Sequence, residues 1–94
     1  MATLLVRHSV QDFGKWKKIF DEDADARKNA GSKGGRLYQA SDNPNDVTVV
    51  LHWDSIEHAK KFAESPDLKH TMENAGVTGQ PQIRFLEEEA QVTV

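Results

Sequence analysis

Two histidines stand within short apolar runs, where a neutral imidazole has the chemistry of a general base. His8 lies in TLLVRHSV (3–10) and His52 in VTVVLHWD (47–54). An imidazole titrates near neutral pH, so either could act as a general base. Each has a structural alternative, a core or interface histidine satisfied by one hydrogen bond. Arg36 and Tyr38, on the strand before His52, are polar groups that could share a site with it. Trp16, Phe20 and Trp53 could line an aromatic pocket, core packing being the competing and compatible reading. His58 and His70 sit among charged neighbours in helical stretches and are expected in solvent. No metal site is expected. His8 and His52 fall toward opposite ends of antiparallel neighbouring strands, and no carboxylate spacing completes a ligand set.

Other motifs exclude more than they assign. The chain has no Cys, which removes disulfides, thiolate metal sites and a Cys nucleophile. GSKGG (31–35) lacks the Walker spacing and precedes a strand, so it reads as a flexible connection. Neither a nucleophile elbow nor a dinucleotide fingerprint occurs.

The elements that must position these groups follow from periodicity. Residues 3–10 are β-branched and apolar and read as a strand. Asp12 is placed to cap a helix whose stripe is Phe13, Trp16, Phe20, Ala24 and Arg27, with Ile19 beside it and Gly31 ending it. GRLYQAS (35–41) is a second strand, DNPN (42–45) a turn around Pro44, and DVTVVLHWD (46–54) a third strand. Asp54 with Glu57 predicts a capping box, and Ile56, Ala59, Phe62 and Ala63 the buried face of the next helix. Ser65 and Pro66 restart a helix carrying Leu68, Met72 and Ala75, which Gly76 stops. PQIRFLEEE (81–89) is the last strand, its EEE a solvated end. The order β-α-β-β-α-α-β defines an α+β, ferredoxin-like split β-α-β fold with an antiparallel sheet, one domain over residues 1–94.

The hairpin adds geometry. A turn near Pro44 pairs Tyr38 with Val50 and Arg36 with His52, placing these four on one face. Leu37, Val49, Leu51 and Trp53 form the apolar face behind them, and a slip of one residue would exchange the two. Strand 3 carries Val50 opposite Val49 and Leu51, and strand 1 carries Leu5 opposite Leu4 and Val6. A sheet apolar on both sides needs cover on both, and a second copy of the chain is the simplest cover.

Composition bounds the partners. Twelve Lys+Arg against fifteen Asp+Glu leaves a net charge of −3, which argues against nucleic acid. No run approaches the roughly 20 apolar residues of a membrane span, and MATLLVRHSV does not resemble a signal peptide. With no Cys, the expectation is a cytoplasmic protein.

VRHSVQDFGKWKKIFDE, GSKGGRLYQASDNPNDVTVVLHWDSIEHAKKF and DLKHTMENAGV together resemble the small dimeric α/β-barrel proteins related to antibiotic biosynthesis monooxygenases. The likeness covers nearly the whole chain, and the Trp53-Asp54-Ser55 junction is its most recognisable part. It implies a homodimer in which two ferredoxin-like sheets close a barrel, with helices outside. Members include cofactor-independent quinone-forming monooxygenases, polyketide cyclases, haem-degrading enzymes and proteins with no known activity. The haem-degrading members carry a Trp and, further on, a His, and these positions fall on Phe62 and Met72, with His70 two residues away. Haem degradation is therefore not expected.

The resemblance implies an enzyme acting without cofactor on a small aromatic or polyketide-like molecule. His8 or His52 would deprotonate a phenol or anthrone, Tyr38 and Arg36 would hold the anion, and the carbanion would react directly with O2. A cyclase would use the same base for an aldol step. The alternative is a small-molecule-binding or stress-related protein of this fold without catalysis.

Overall fold

A computed structural model describes residues 1–94. The chain runs β1 (Ala2–Val10), α1 (Phe13–Glu22), α2 (Ala24–Ala30), β2 (Ser32–Ala40), β3 (Asn43–Trp53), α3 (Ile56–Ala63), α4 (Pro66–Asn74) and β4 (Val77–Glu87). The strands form one antiparallel sheet in the order β2-β3-β1-β4, the expected ferredoxin-like arrangement. No helix is long and apolar enough to cross a membrane.

Strand alternation sorts the sheet into two faces. Leu4, Val6, His8 and Val10 of β1 and Val47, Val49, Leu51 and Trp53 of β3 are buried beneath the helices, together with Trp16, Ala59 and Ala75. The opposite face carries Thr3, Leu5 and Arg7 of β1, Thr48, Val50 and His52 of β3, and Arg84 and Leu86 of β4. Of the 13 buried residues only Thr3 belongs to this second face, so one chain closes mainly the helix side of its sheet.

The helix starts are set by side-chain caps. Asp12 accepts from the Gly14 N–H at 3.2 Å, and Ser65 accepts from the N–H groups of Asp67 and Leu68. The start of α3 differs from expectation: Ser55 is the cap, accepting from His58 N–H at 3.1 Å. Asp54 lies one residue too early, and its carboxylate instead meets His58 Nδ1 at 2.7 Å.

The expected single first helix is two. At Asp23 the backbone turns to φ −91°, ψ 9°, and its N–H is shared between the carbonyls of Ile19 and Phe20. The acidic run DEDAD (21–25) is a poor helix interior because like charges crowd one turn. Arg27 makes the break tenable, since its Nη1 donates to the Phe20 carbonyl at 2.6 Å. The change of axis also rotates Ala24 off the apolar stripe, and it is exposed.

The hairpin departs from expectation in detail. The tight turn is Ser41-Asp42, and Pro44 lies inside β3, where the register jumps between Gln39 facing Val47 and Ala40 facing Asn43. This bulge needs no ladder N–H from Pro44, which is why the strand tolerates it. It also moves the register by two: Arg36 faces Val50 and Tyr38 faces Thr48. An even shift preserves the faces. At Gly35 the strands approach so closely that a Cβ would lie 1.9 Å from the Val50 carbonyl oxygen. β2 and β4 both begin earlier than expected, at Ser32 and Val77, the latter facing Val10 across a second bulge.

Candidate functional site

Between the sheet and the helices lies an apolar cavity of about 60 Å³. Leu4, Val6, Val49 and Leu51 form its floor, Trp16, Ile19 and Phe20 of α1 one wall, and Phe62, Leu68 and Met72 another. Only four polar side chains line it: His8, Asp23, Arg27 and Thr71.

His8 reaches it because β1 alternates, placing residue 8 in phase with Leu4 and Val6. The residue is 6% exposed, and its Nδ1 is buried without a hydrogen-bond partner. Its ring meets Trp16 edge-on at 5.5 Å between centroids. Burial pushes the imidazole's pKa below its ordinary value, because the low-dielectric surroundings disfavour the cation. His8 thus lines the cavity with a neutral ring whose Nδ1 has no hydrogen-bond partner, the form of an imidazole that can accept a proton.

Trp16 stacks on Phe20 at 4.9 Å and 18°, and the Arg27 guanidinium carbon lies 3.8 Å from the Phe20 ring centroid on a cation–π contact. Burial lowers the Arg27 pKa, opposed by the charges of Asp23 and Asp21, and an Arg so placed remains a cation at neutral pH. Arg27 was on the apolar stripe of the sequence, and a cation in phase with Phe13, Trp16 and Phe20 was the signal that it points inward.

The other named residues lie elsewhere. Trp53 is 1% exposed and packs on Phe62 at 5.0 Å without lining the cavity, its Nε1 buried and unpaired. His52 is on the opposite face of the sheet, its Nδ1 3.3 Å from the Thr3 hydroxyl. Arg36 and Tyr38 share that face, and Tyr38 is 51% exposed. The structure thus gathers His8, Trp16 and Phe20 and separates them from His52, Arg36 and Tyr38. Phe62 and Met72 both line the cavity, while His70 is exposed on α4.

A second space touches His8. Opposite it, β4 bulges: Arg7 faces Gln82 and Ser9 faces Thr78, leaving residues 79–81 outside the β1 ladder. The resulting pocket of about 280 Å³ is lined by polar residues, among them His8, Ser9, Asp46, Gln80 and Gln82. Arg7 grips Asp46 there through two hydrogen bonds, of 3.0 and 2.7 Å, and this holds the Asp46 carboxyl below the usual carboxylate range.

The architecture matches solved structures closely. A candidate antibiotic biosynthesis monooxygenase from Bordetella bronchiseptica superposes with a TM-score of 0.79 at 16% identity, covering 95% of this chain and 97% of that one. SnoaB, a cofactor-independent oxygenase from Streptomyces nogalater, gives 0.78 at 14% identity, covering 97% and 95%. A candidate antibiotic biosynthesis monooxygenase from Deinococcus radiodurans gives 0.74 at 14% identity, covering 100% and 98%. No protein-family model and no curated protein sequence matches the chain. The class these comparisons define is the ferredoxin-like fold of antibiotic biosynthesis monooxygenase structures.

Proposed function

We propose that the protein is a cofactor-independent monooxygenase that takes a small aromatic or polyketide-like molecule between its sheet and its helices. The observation that carries this reading is His8, a buried neutral imidazole that lines an apolar cavity and whose Nδ1 has no hydrogen-bond partner. The cofactor-independent oxygenase among the structural neighbours supports it.

In this mechanism His8 takes a proton from the phenol or anthrone carbon, leaving an electron-rich anion. The Arg27 charge stabilises that anion in a site of low dielectric. The anion gives its electrons to O2 and forms a carbon–oxygen bond, and the peroxide takes up a proton. Loss of water then leaves a carbonyl, with one oxygen atom in the product and the other in water. Trp16 and Phe20 form the aromatic wall against which the substrate packs. At about 60 Å³ the cavity is smaller than the roughly 150 Å³ that holds benzene, so a ring is admitted only when side chains such as Met72 move aside. Met is well suited to this, with three rotatable bonds.

The cavity's small apolar volume favours one second reading, a binding protein of this fold without turnover. A cyclase would use the same base for an aldol step. Oxygen uptake with a panel of anthrones and hydroquinones, in chelator-treated buffer, separates them. Turnover that falls by roughly 10²-fold in His8→Gln and is unchanged in His52→Ala is the expected result. Absence of uptake with every compound, or an unaffected His8→Gln enzyme, refutes the monooxygenase reading.

The proposal includes a cytoplasmic homodimer formed sheet to sheet. Leu5, Val50, Tyr38 and Leu86 lie on the open face, Leu86 being 37% exposed, and they support it. Light scattering at micromolar concentration should give twice the 10.6 kDa of one chain. A stable monomer refutes the dimer.

A further inference from the structure

A groove of about 610 Å³ runs between α2 and the start of β2. Arg27, Lys28 and Lys33 line it, Arg36 borders it from a strand position that belongs to the open face, and no carboxylate does, although the chain as a whole carries a net charge of −3. Asp21 and Asp23 act on Arg27 from nearby, and Asp54 is close enough to Lys33 to be shifted by it, yet none of the three lines the groove. The concentration of one sign of charge in a concave surface focuses a positive potential there.

The groove is continuous with the apolar cavity, because Phe20, Arg27 and Leu51 line both. Arg27 is the hinge between them. One of its N–H groups is committed to the Phe20 carbonyl, while its guanidinium offers further donors in a rigid fork suited to a carboxylate or phosphate. Across the groove the backbone is bare at Gly34, where a Cβ would meet nothing within 4 Å, so a ligand can approach it closely. An apolar space and a cationic space that meet at one Arg describe a ligand with two unlike ends.

We propose that the groove binds an acidic group of the ligand, making the ligand class an amphipathic anion. Its ring system sits against Trp16 and Phe20, and its carboxylate or phosphate lies beside Arg27, Lys28 and Lys33. This rests on the cavity as the ligand site and adds the substrate's charge. It also requires that neutral rings of the same shape bind weakly.

The test is calorimetric titration of the intact protein with 2-naphthoate, 2-naphthyl phosphate and 2-naphthalenemethanol. At about 20 mM salt one or both anions should bind about tenfold or more tighter than the alcohol, and the advantage should shrink at about 300 mM salt. The two anions tell a carboxylate site from a phosphate site. Lys28 and Lys33 are exposed, so the Lys28→Gln/Lys33→Gln variant should fold normally. It should lose most of the anion preference with the alcohol's Kd unchanged. Equal binding of alcohol and anions overturns the inference, as does a preference that survives in the double variant. If none of the three binds, the cavity reading itself falls and takes the inference with it.

Discussion

Acid should weaken this fold through His8, and the size of the effect can be worked out. Burial lowers the His8 pKa in the folded state, so folded chains bind fewer protons than unfolded ones once the pH falls below the ordinary value near 6.5. The stabilisation is therefore complete above pH 6.5 and is lost as the pH falls from there toward the folded-state value. Each pH unit in that window removes up to about 1.4 kcal/mol. His8→Phe eliminates the titration, keeps an aromatic ring against Trp16, and replaces the unpaired Nδ1 by carbon. An unsatisfied buried polar atom costs about 1–3 kcal/mol, so the variant should be at least as stable as wild type at pH 7.5. Between pH 6.5 and 5.5 it should gain up to about 1.4 kcal/mol on wild type. Urea unfolding at the two pH values and at fixed protein concentration reads the difference. The other three histidines are common to both proteins and drop out of the difference. Asp46 and Asp54, held low by Arg7 and His58, contribute only in a more acid range. Parallel loss of stability in wild type and variant would show that His8 is not a buried neutral base.

Three further substitutions probe the frame around the site. Trp53→Ala should cost about 3–5 kcal/mol, whereas Trp53→Phe should cost far less, because it keeps the pair with Phe62 and removes the unpaired Nε1; equal losses by urea unfolding would mean the indole N–H is satisfied after all. Gly35→Ala should lower stability by at least the roughly 1–3 kcal/mol of an overpacked site, since its Cβ would strike the Val50 carbonyl and the Leu51 Cα, both backbone; an unchanged melting temperature would refute the register. Trp16→Ala should cost about 3–5 kcal/mol and also abolish 2-naphthoate binding by calorimetry, a loss of stability alone showing that the ring is only core.

The faces of the sheet were legible because alternation survives errors of register. The bulge holding Pro44 displaced the hairpin pairing by two residues, yet Arg36, Tyr38, Val50 and His52 still share a face. The same alternation put His8 in phase with Leu4 and Val6, so its inward position was readable without a structure. The break at Asp23 was not, because an unbroken helical period continues through it. What ends α1 is an arginine that folds back onto the Phe20 carbonyl, a contact across seven residues that no local pattern encodes. The cap of α3 failed for a narrower reason: Asp54 and Ser55 are both good caps, and only the backbone path decides between them. The basic groove was hidden because its cations come from α2 and from the start of β2, where the sequence reads only as a connection.

The β4 bulge gives His8 a second consequence. Its ring is a partition with an apolar side and a polar side, the cavity on one and the pocket of Gln80 and Gln82 on the other. A shorter side chain would join the two spaces and give water from the polar pocket a direct path to the apolar one. In the proposed mechanism His8→Ala would thus confound two losses, a base and a partition. Position 8 is fixed by reach as much as by proton chemistry, which leaves Gln and Phe, long enough to keep the partition shut, as the substitutions that can tell the two roles apart.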